Sequence, residues 1–326
     1  MEDNSNNPDQ NSSNKEQDER TSKLNPTMPP VRAAFLAVIG VFILYQFGGG
    51  ILMLLIFGLD LENADMNAVR LLTMGGQILL ILFPALWLAK SIYEDVSTII
   101  RVRVPNWKEF AVFTIGLIIL VPLLQNYLYI QNFLISKLAE LSPFFSDIKY
   151  LLDEADKYIE KTYTDILVAN NFIELILIVF VVAITPSICE EVFFRGFVQK
   201  SFELQMRPWL AIFITSAFFA LYHFNPYGLL ALGALGVYFG FSAYLSNSIF
   251  IPMVLHFINN FSQVMIFHLF GAEDFLETDI IYDGAFESQI ISFLLLLILF
   301  STFIYYVKKH YPTIKGEKDD LSKLRS

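Results

Sequence analysis

The chain of 326 residues holds one cysteine, Cys189, which excludes any disulfide within it and leaves the redox compartment unread. Charge is scarce as well: 17% of residues are charged against 55% hydrophobic, and the mean hydropathy is +0.52. An ordinary soluble domain carries about 25% charged residues, so a water-exposed globule is excluded as the class. No basic stretch with interleaved aromatics occurs, and the net charge of −10 sits largely in tails and connections, which sets nucleic-acid binding aside. No internal period of repeat length and no soluble domain of appreciable size is present. A basic leader, a short apolar core and a small-residue cleavage site are all missing near Met1, so the first apolar run is expected to remain as an anchor.

What is present in quantity is apolar runs of membrane-crossing length. They lie at about Ala33 to Leu59, Ala68 to Ala89, Phe110 to Ile130, Phe172 to Cys189, Pro208 to Tyr222, Tyr227 to Leu245, Ile249 to Phe270 and Gln289 to Val307. The expected fold is an all-α polytopic transmembrane bundle of about eight helices, the fifth short for a full crossing. Four regions follow: 1–30 as a disordered polar tail poor in large apolar side chains, 31–171 as N-terminal membrane helices with a long outer loop, 172–271 as the functional core, and 272–326 as an acidic loop, a last helix and a basic tail.

Lys90, Arg101, Arg103 and Lys108 follow the second run, Lys200 and Arg207 the fourth, and Lys308, Lys309 and Lys315 the last. The positive-inside rule makes that side cytoplasmic, with both termini on it, in a cell (inner) membrane. The loop Gly271 to Ser288 has six acidic residues and no Lys or Arg, and reads as outside. The connection Gln131 to Asn171 mixes Leu151, Leu152, Ile159 and Tyr163 with charges, which fits either an amphipathic segment at the outer face or a solvated connector. Gly48-Gly49-Gly50, Gly75-Gly76 and the pair Gly236 and Gly240 read as sites of close helix packing.

Against this apolar background stands Ile188-Cys189-Glu190-Glu191-Val192-Phe193-Phe194-Arg195-Gly196. A charged side chain at the centre of a membrane helix costs roughly 2.5–3.5 kcal/mol on insertion scales, so such residues face a bundle interior or a wet cavity. Glu191 and Arg195 are four apart on one helix face, while Glu190 sits about 100° round, so one carboxylate can pair with the guanidinium and leave the other free. The bland alternative is a buried ion pair between helices. Cys189, beside carboxylates, reads as a small packed hydrophobe and not as a thiol nucleophile.

The remaining polar groups of the spans are His223 after the fifth run, and His256 with Asn260 four residues on, in the seventh; His268 lies further along and His310 in the basic tail. Each histidine alone fits a hydrogen-bonded packing role. Together, Glu190, Glu191, Arg195, His223, His256 and Asn260 bury themselves most cheaply by converging on one cavity. A glutamate near a histidine can polarise water and take its proton as the water attacks a peptide carbonyl, and a histidine and asparagine on one face can donate to the oxyanion. A His2Glu zinc set from His223, His256 and one glutamate is the metal alternative, although no His-Glu-x-x-His helix occurs.

Glu190-Glu191-Val192-Phe193-Phe194-Arg195-Gly196, then Phe219-x-x-x-His223, then His256-x-x-x-Asn260 resemble the three ordered motifs of the CAAX protease and bacteriocin-processing (CPBP, Abi) intramembrane peptidase family, often classed as metalloproteases, which includes the type II prenyl endopeptidases. The resemblance covers about Phe172 to Phe270. It implies that Glu190 and His223 activate water, that Glu191 and Arg195 support them, and that His256 and Asn260 form the oxyanion site. It implies an endopeptidase acting on a membrane-embedded or lipidated peptide or protein, with no cofactor in the carboxylate mechanism and zinc in the other. The rivals are a catalytically idle immunity or scaffold protein and a proton-coupled transporter using Glu190 and His223 as a relay. The ends of the fourth and fifth runs conflict: Glu190 and Arg195 are expected near the inner end of one helix and His223 at the outer end of the next, which a short, kinked or displaced helix would reconcile.

Overall fold

In the computed structural model, residues 24–58, 64–271 and 286–316 are described, and among them the regular structure is helical with no strand. Ten helices follow in order: α1 Pro30–Phe57, α2 Met66–Ile92, α3 Val96–Ile99, α4 Trp107–Ala139, α5 Pro143–Leu167, α6 Phe172–Glu203, α7 Pro208–Tyr222, α8 Leu229–Ser246, α9 Phe250–Phe270 and α10 Phe286–Lys315. Seven of the described helices are long and apolar enough to cross a membrane, and α7, at 15 residues, is the short one. The acidic loop and the last basic residues, 272–285 and 317–326, lie outside the described residues, as does 1–23.

Helix starts are written locally. Asn106 and Glu109 cap α4 reciprocally, the Glu109 N–H donating to Asn106 Oδ1 at 3.0 Å and the Asn106 N–H to Glu109 Oε1 at 2.9 Å. Asp65 opens α2 by accepting the Asn67 N–H, and Asn171 opens α6 by accepting the N–H groups of Ile173 and Glu174. Helix α8 stops where Asn247 turns left-handed (φ 47°), and the Ser248 hydroxyl then accepts the Phe250 N–H at 3.2 Å to start α9.

Two expectations need correcting. The fourth run does not end at Cys189: Val192 to Val198 are all buried and continue the helix to Glu203, because Glu191 and Arg195 neutralise one another inside the protein and do not mark an exit into water. At about 1.5 Å per residue, Glu190 then lies about 20 Å from the Glu203 end of α6, and His223, after the 15 residues of α7, at a matching depth. The conflict between the two helices disappears without displacing either. Likewise, residues 24–29 are not part of a loose tail: Leu24 is buried, its carbonyl accepts the Glu94 N–H just past α2, and the Thr27 N–H donates to the carbonyl of Ile92, the last residue of α2.

α5 is a full helix whose polar face carries Lys149, Asp153 and Lys157, so the connection after α4 is amphipathic and not an irregular connector. At the opposite end of the bundle, Arg101 is buried, ion-pairs with Glu203 at 2.6 Å and donates to the Ala243 carbonyl at 3.0 Å, while Arg103 donates to the Ser246 carbonyl at 2.7 Å. The loop before α4 thereby fastens the ends of α6 and α8, and the Ile249 N–H closes the knot on the Arg101 carbonyl at 3.0 Å.

Within the bundle, α6 and α8 run parallel. Arg195 and Gln199 on α6 donate to the carbonyls of Gly236 and Gly240 on α8, at 3.3 and 3.0 Å. A Cβ on Gly240 would stand 2.7 Å from Gln199 Oε1, and one on Gly236 would stand 3.1 Å from Ser216 Cβ, so these glycines exist for close approach.

Candidate active site

The site is built on α6, where a stretch of regular helix, Thr185–Glu191, is flanked by two wide π-helical turns, Val179–Ile184 and Val192–Val198. Such turns are infrequent and gather at functional sites, because the extra residue redirects side chains that a regular helix would spread around its axis. Pro186 follows the first π turn, and the Ser187 hydroxyl donates to the Ile184 carbonyl at 2.7 Å, taking up an acceptor near the proline. α1 and α2 each carry a π turn as well, Leu44–Gly48 and Ile78–Leu82, packed on one another, and that of α2 packs on Thr185–Val198.

Glu191 and Arg195 are fully buried. Arg195 Nη1 donates to Glu191 Oε1 at 2.8 Å, and His256 Nδ1, arriving from α9, lies 2.8 Å from the same oxygen. The guanidinium also lies over aromatic faces, its Cζ 4.2 Å from the Phe219 ring centre and 5.5 Å from that of Phe239, where cation–π attraction replaces part of its lost hydration. Phe239 in turn stacks on His256 at 5.5 Å.

Phe219 is the shared contact. Its ring lies 4.7 Å from the His223 imidazole and 6.0 Å from that of His256, so α7 sets both histidines and Arg195 around one side chain. His223 Nδ1 pairs with the Phe219 carbonyl at 2.7 Å, leaving Nε2 for other partners. Asn260 donates to the Val182 carbonyl in the first π turn at 2.9 Å, and the Asn259 amide orients it by donating to its Oδ1 at 3.1 Å. Glu190 is partly buried, and its charge reaches Arg195 and Tyr45 of α1.

Glu190 Oε2 and Glu191 Oε2 are both buried and receive no hydrogen bond from the protein. A buried acceptor left so is expensive, commonly about 1–3 kcal/mol and more for a charged one, so two at one place call for a donor from outside the chain. Among the described residues no three His, Cys, Asp or Glu side chains gather closely enough to hold a metal ion. Cys189 is buried and packs with the core of Phe193, Phe197 and Tyr222. His268 bonds the Val264 carbonyl of its own helix at 2.9 Å, and His310 stacks on Tyr306, so neither joins the cluster.

The N-terminal helices contribute polar groups that the motifs did not single out. Gln46 on α1 donates to the Tyr222 carbonyl at 2.9 Å, and Gln77 on α2 is buried. Their signal was available, since an amide inside an apolar run is itself a reason to look for an interhelical partner. Between α1 and the end of α7 runs an apolar cleft of about 410 Å³, walled by Val38, Phe42, Phe218, Leu221, Tyr222 and Phe224; His223, between the last two, is not part of its lining.

No curated protein and no solved structure gives a significant match to the chain. The family model described as type II CAAX prenyl endopeptidase Rce1-like matches residues 172–262, so the α6 to α9 segment of this integral, multi-pass membrane protein, which holds all six side chains, is similar to that family.

Proposed function

We propose that the protein is an intramembrane endopeptidase in which Glu190, with His223, activates a water molecule. The observation that carries this reading is the pair of buried carboxylate oxygens on adjacent residues, Glu190 Oε2 and Glu191 Oε2, that receive no donor from the chain, where Glu191 is already met by the His256 imidazole and the Arg195 guanidinium. Water bound there would lose a proton to Glu190 as its oxygen attacks the scissile carbonyl carbon. The resulting oxyanion would accept from His256 Nε2, whose ring Glu191 holds through Nδ1, and from the second amide hydrogen of Asn260. Collapse of the tetrahedral intermediate breaks the C–N bond, the amine leaves with the proton carried by Glu190, and the new terminus is a carboxylate. Arg195 holds Glu191 in place through the ion pair between them.

The substrate class is a peptide or protein tethered to the bilayer by an apolar or lipidated anchor, the anchor seated in the cleft of about 410 Å³ between α1 and the end of α7, whose walls are almost wholly apolar. The end of the bundle that gathers Arg101, Arg103 and Lys108 is the cytoplasmic one, with both termini on it. No step is assigned to a metal: among the described residues no three His, Cys, Asp or Glu side chains gather closely enough to hold one, and the two histidines, bonded through Nδ1 alone, are given proton-transfer and hydrogen-bonding roles through Nε2.

The experiment is cleavage of a membrane-tethered reporter by purified protein in liposomes. Wild type cleaves, Glu190→Gln binds without cleaving, and activity survives thorough removal of divalent metal. Equal processing by Glu190→Gln would sink the reading, binding without cleavage by wild type would favour an idle scaffold, and loss on chelation with recovery by zinc alone would replace the carboxylate mechanism.

A further inference from the structure

His223 does not sit on a regular helix. It is the residue after α7, and the next one, Phe224, takes a left-handed backbone conformation (φ 50°) that a bulky side chain adopts only when its surroundings impose it. Two sets of contacts do so, and both come from helices outside the segment 172–262. On one side, α1 grips Tyr222 twice: Gln46 Nε2 donates to its carbonyl at 2.9 Å, and its hydroxyl donates to the Val38 carbonyl. On the other side, Tyr227 is held by α4 and α5, where Gln131 Nε2 donates to its carbonyl at 2.8 Å and its hydroxyl donates to Asp153 Oδ1 at 2.6 Å. Gln131 cannot flip freely, because its own oxygen accepts from Tyr127. The turn from Tyr222 to Gly228 is therefore strung between two supports, with His223 and the strained Phe224 on the span.

We propose that Gln46 and Asp153 are positioning residues for His223, acting through Tyr222 and Tyr227. The inference rests on the protease reading of the site and extends it to helices that carry none of its motifs. A carbonyl at the end of a helix has no partner of its own in the helix, so the Gln46 amide supplies one and fixes where α7 ends. Without it, the last turn frays and the imidazole moves relative to Glu190. Asp153 fixes the far end of the same turn, so the loop cannot relax the left-handed Phe224 by swinging outward.

The test combines kinetics with hydrogen exchange on the full chain in lipid nanodiscs. Gln46→Leu and Asp153→Leu each lower kcat on the tethered reporter about tenfold to a hundredfold, as expected for a catalytic group misplaced by a fraction of an ångström to an ångström, and leave KM within about twofold. Asp153→Asn, which keeps an oxygen for the Tyr227 hydroxyl, restores most of the rate. Gln46→Glu is the discriminating variant: its carboxyl can donate to the Tyr222 carbonyl only when protonated, so its kcat recovers as pH falls, in a profile that wild type lacks. A purely structural role would give Gln46→Glu a profile parallel to wild type. Amide exchange over residues 223–228 rises in both leucine variants, a readout that needs no proteolysis. Should wild type fail to cleave, the protease reading fails and exchange alone judges the tether. Unchanged exchange in both variants, or a rise in KM with kcat intact, overturns the inference.

Discussion

His256 and Glu191, 65 positions apart in sequence, meet with Nδ1 2.8 Å from Oε1, on the oxygen that Arg195 also binds. The carboxylate thus receives a guanidinium from its own helix and an imidazole from α9, and the imidazole presents Nε2 in a fixed direction. Glu191 is in this sense the joint between the two motif helices, and Glu190 next to it stays outside the pairing.

Arg195→Met leaves Glu191 buried beside His256 alone, and removal of one partner from a buried pair commonly costs about 3–5 kcal/mol. The expected outcome is a markedly lower thermal midpoint in detergent. Arg195→Lys does not restore it, because an ammonium cannot reach both Glu191 and the Gly236 carbonyl while stacking on Phe219.

Gly116→Ala places a Cβ 2.1 Å from Tyr238 Oη and 2.6 Å from Phe303, where α4, α8 and α10 close on each other. Overpacking of this kind costs about 1–3 kcal/mol or more. Gly233→Ala meets nothing nearer than Ala220 Cβ at 3.9 Å, and as a helical glycine it gains about 0.5–1 kcal/mol instead. Differential thermal unfolding of the two variants reads the contrast directly.

Asn260→Ala removes the amide bonded to the Val182 carbonyl, and on the proposed mechanism it also removes an oxyanion donor, so kcat falls about 10²- to 10³-fold. Asn259→Ala removes only the group that orients it, and the loss stays under about tenfold. Equal losses would assign Asn260 to packing alone. Single-turnover cleavage separates the two.

Asp153 supplies a pH dependence outside the membrane helices. Partial burial alone would raise its carboxyl, but the bonds from Lys149 and the Tyr227 hydroxyl outweigh that and hold it below the usual carboxylate range. A carboxyl depressed on folding adds stability above its unfolded value, about 3.9, and that contribution is lost as pH falls through the lower folded value. The gap in thermal midpoint between wild type and Asp153→Asn is therefore constant above about pH 5 and closes below about pH 4.

How far the sequence spoke depends on distance along the chain. The pairing of Glu191 with Arg195 was legible because a spacing of four fixes a helix face, and seven of the eight apolar runs were legible because membrane helices announce themselves by length, the eighth being the short α7. The end of α6 was not, since the apolar run stops at Cys189 and nothing local signals that the helix continues, with Arg195 buried against Phe219 and Phe239. Arg70, inside the second apolar run, turns out to hold the link between α5 and α6 through the carbonyls of Ile166 and Val168. Nothing local to Gln46 signals that its partner lies 176 positions away, and no spacing rule reaches across that interval.

The two rungs from Arg195 and Gln199 to Gly236 and Gly240 have a mechanical consequence. Stitched side by side at successive turns, α6 and α8 form a stiff rail that can neither slide nor roll without breaking both bonds together. On the proposed function, a bulky guest reaching the cleft between α1 and the tip of α7 from the bilayer would have this rail as the unyielding back wall of the bundle.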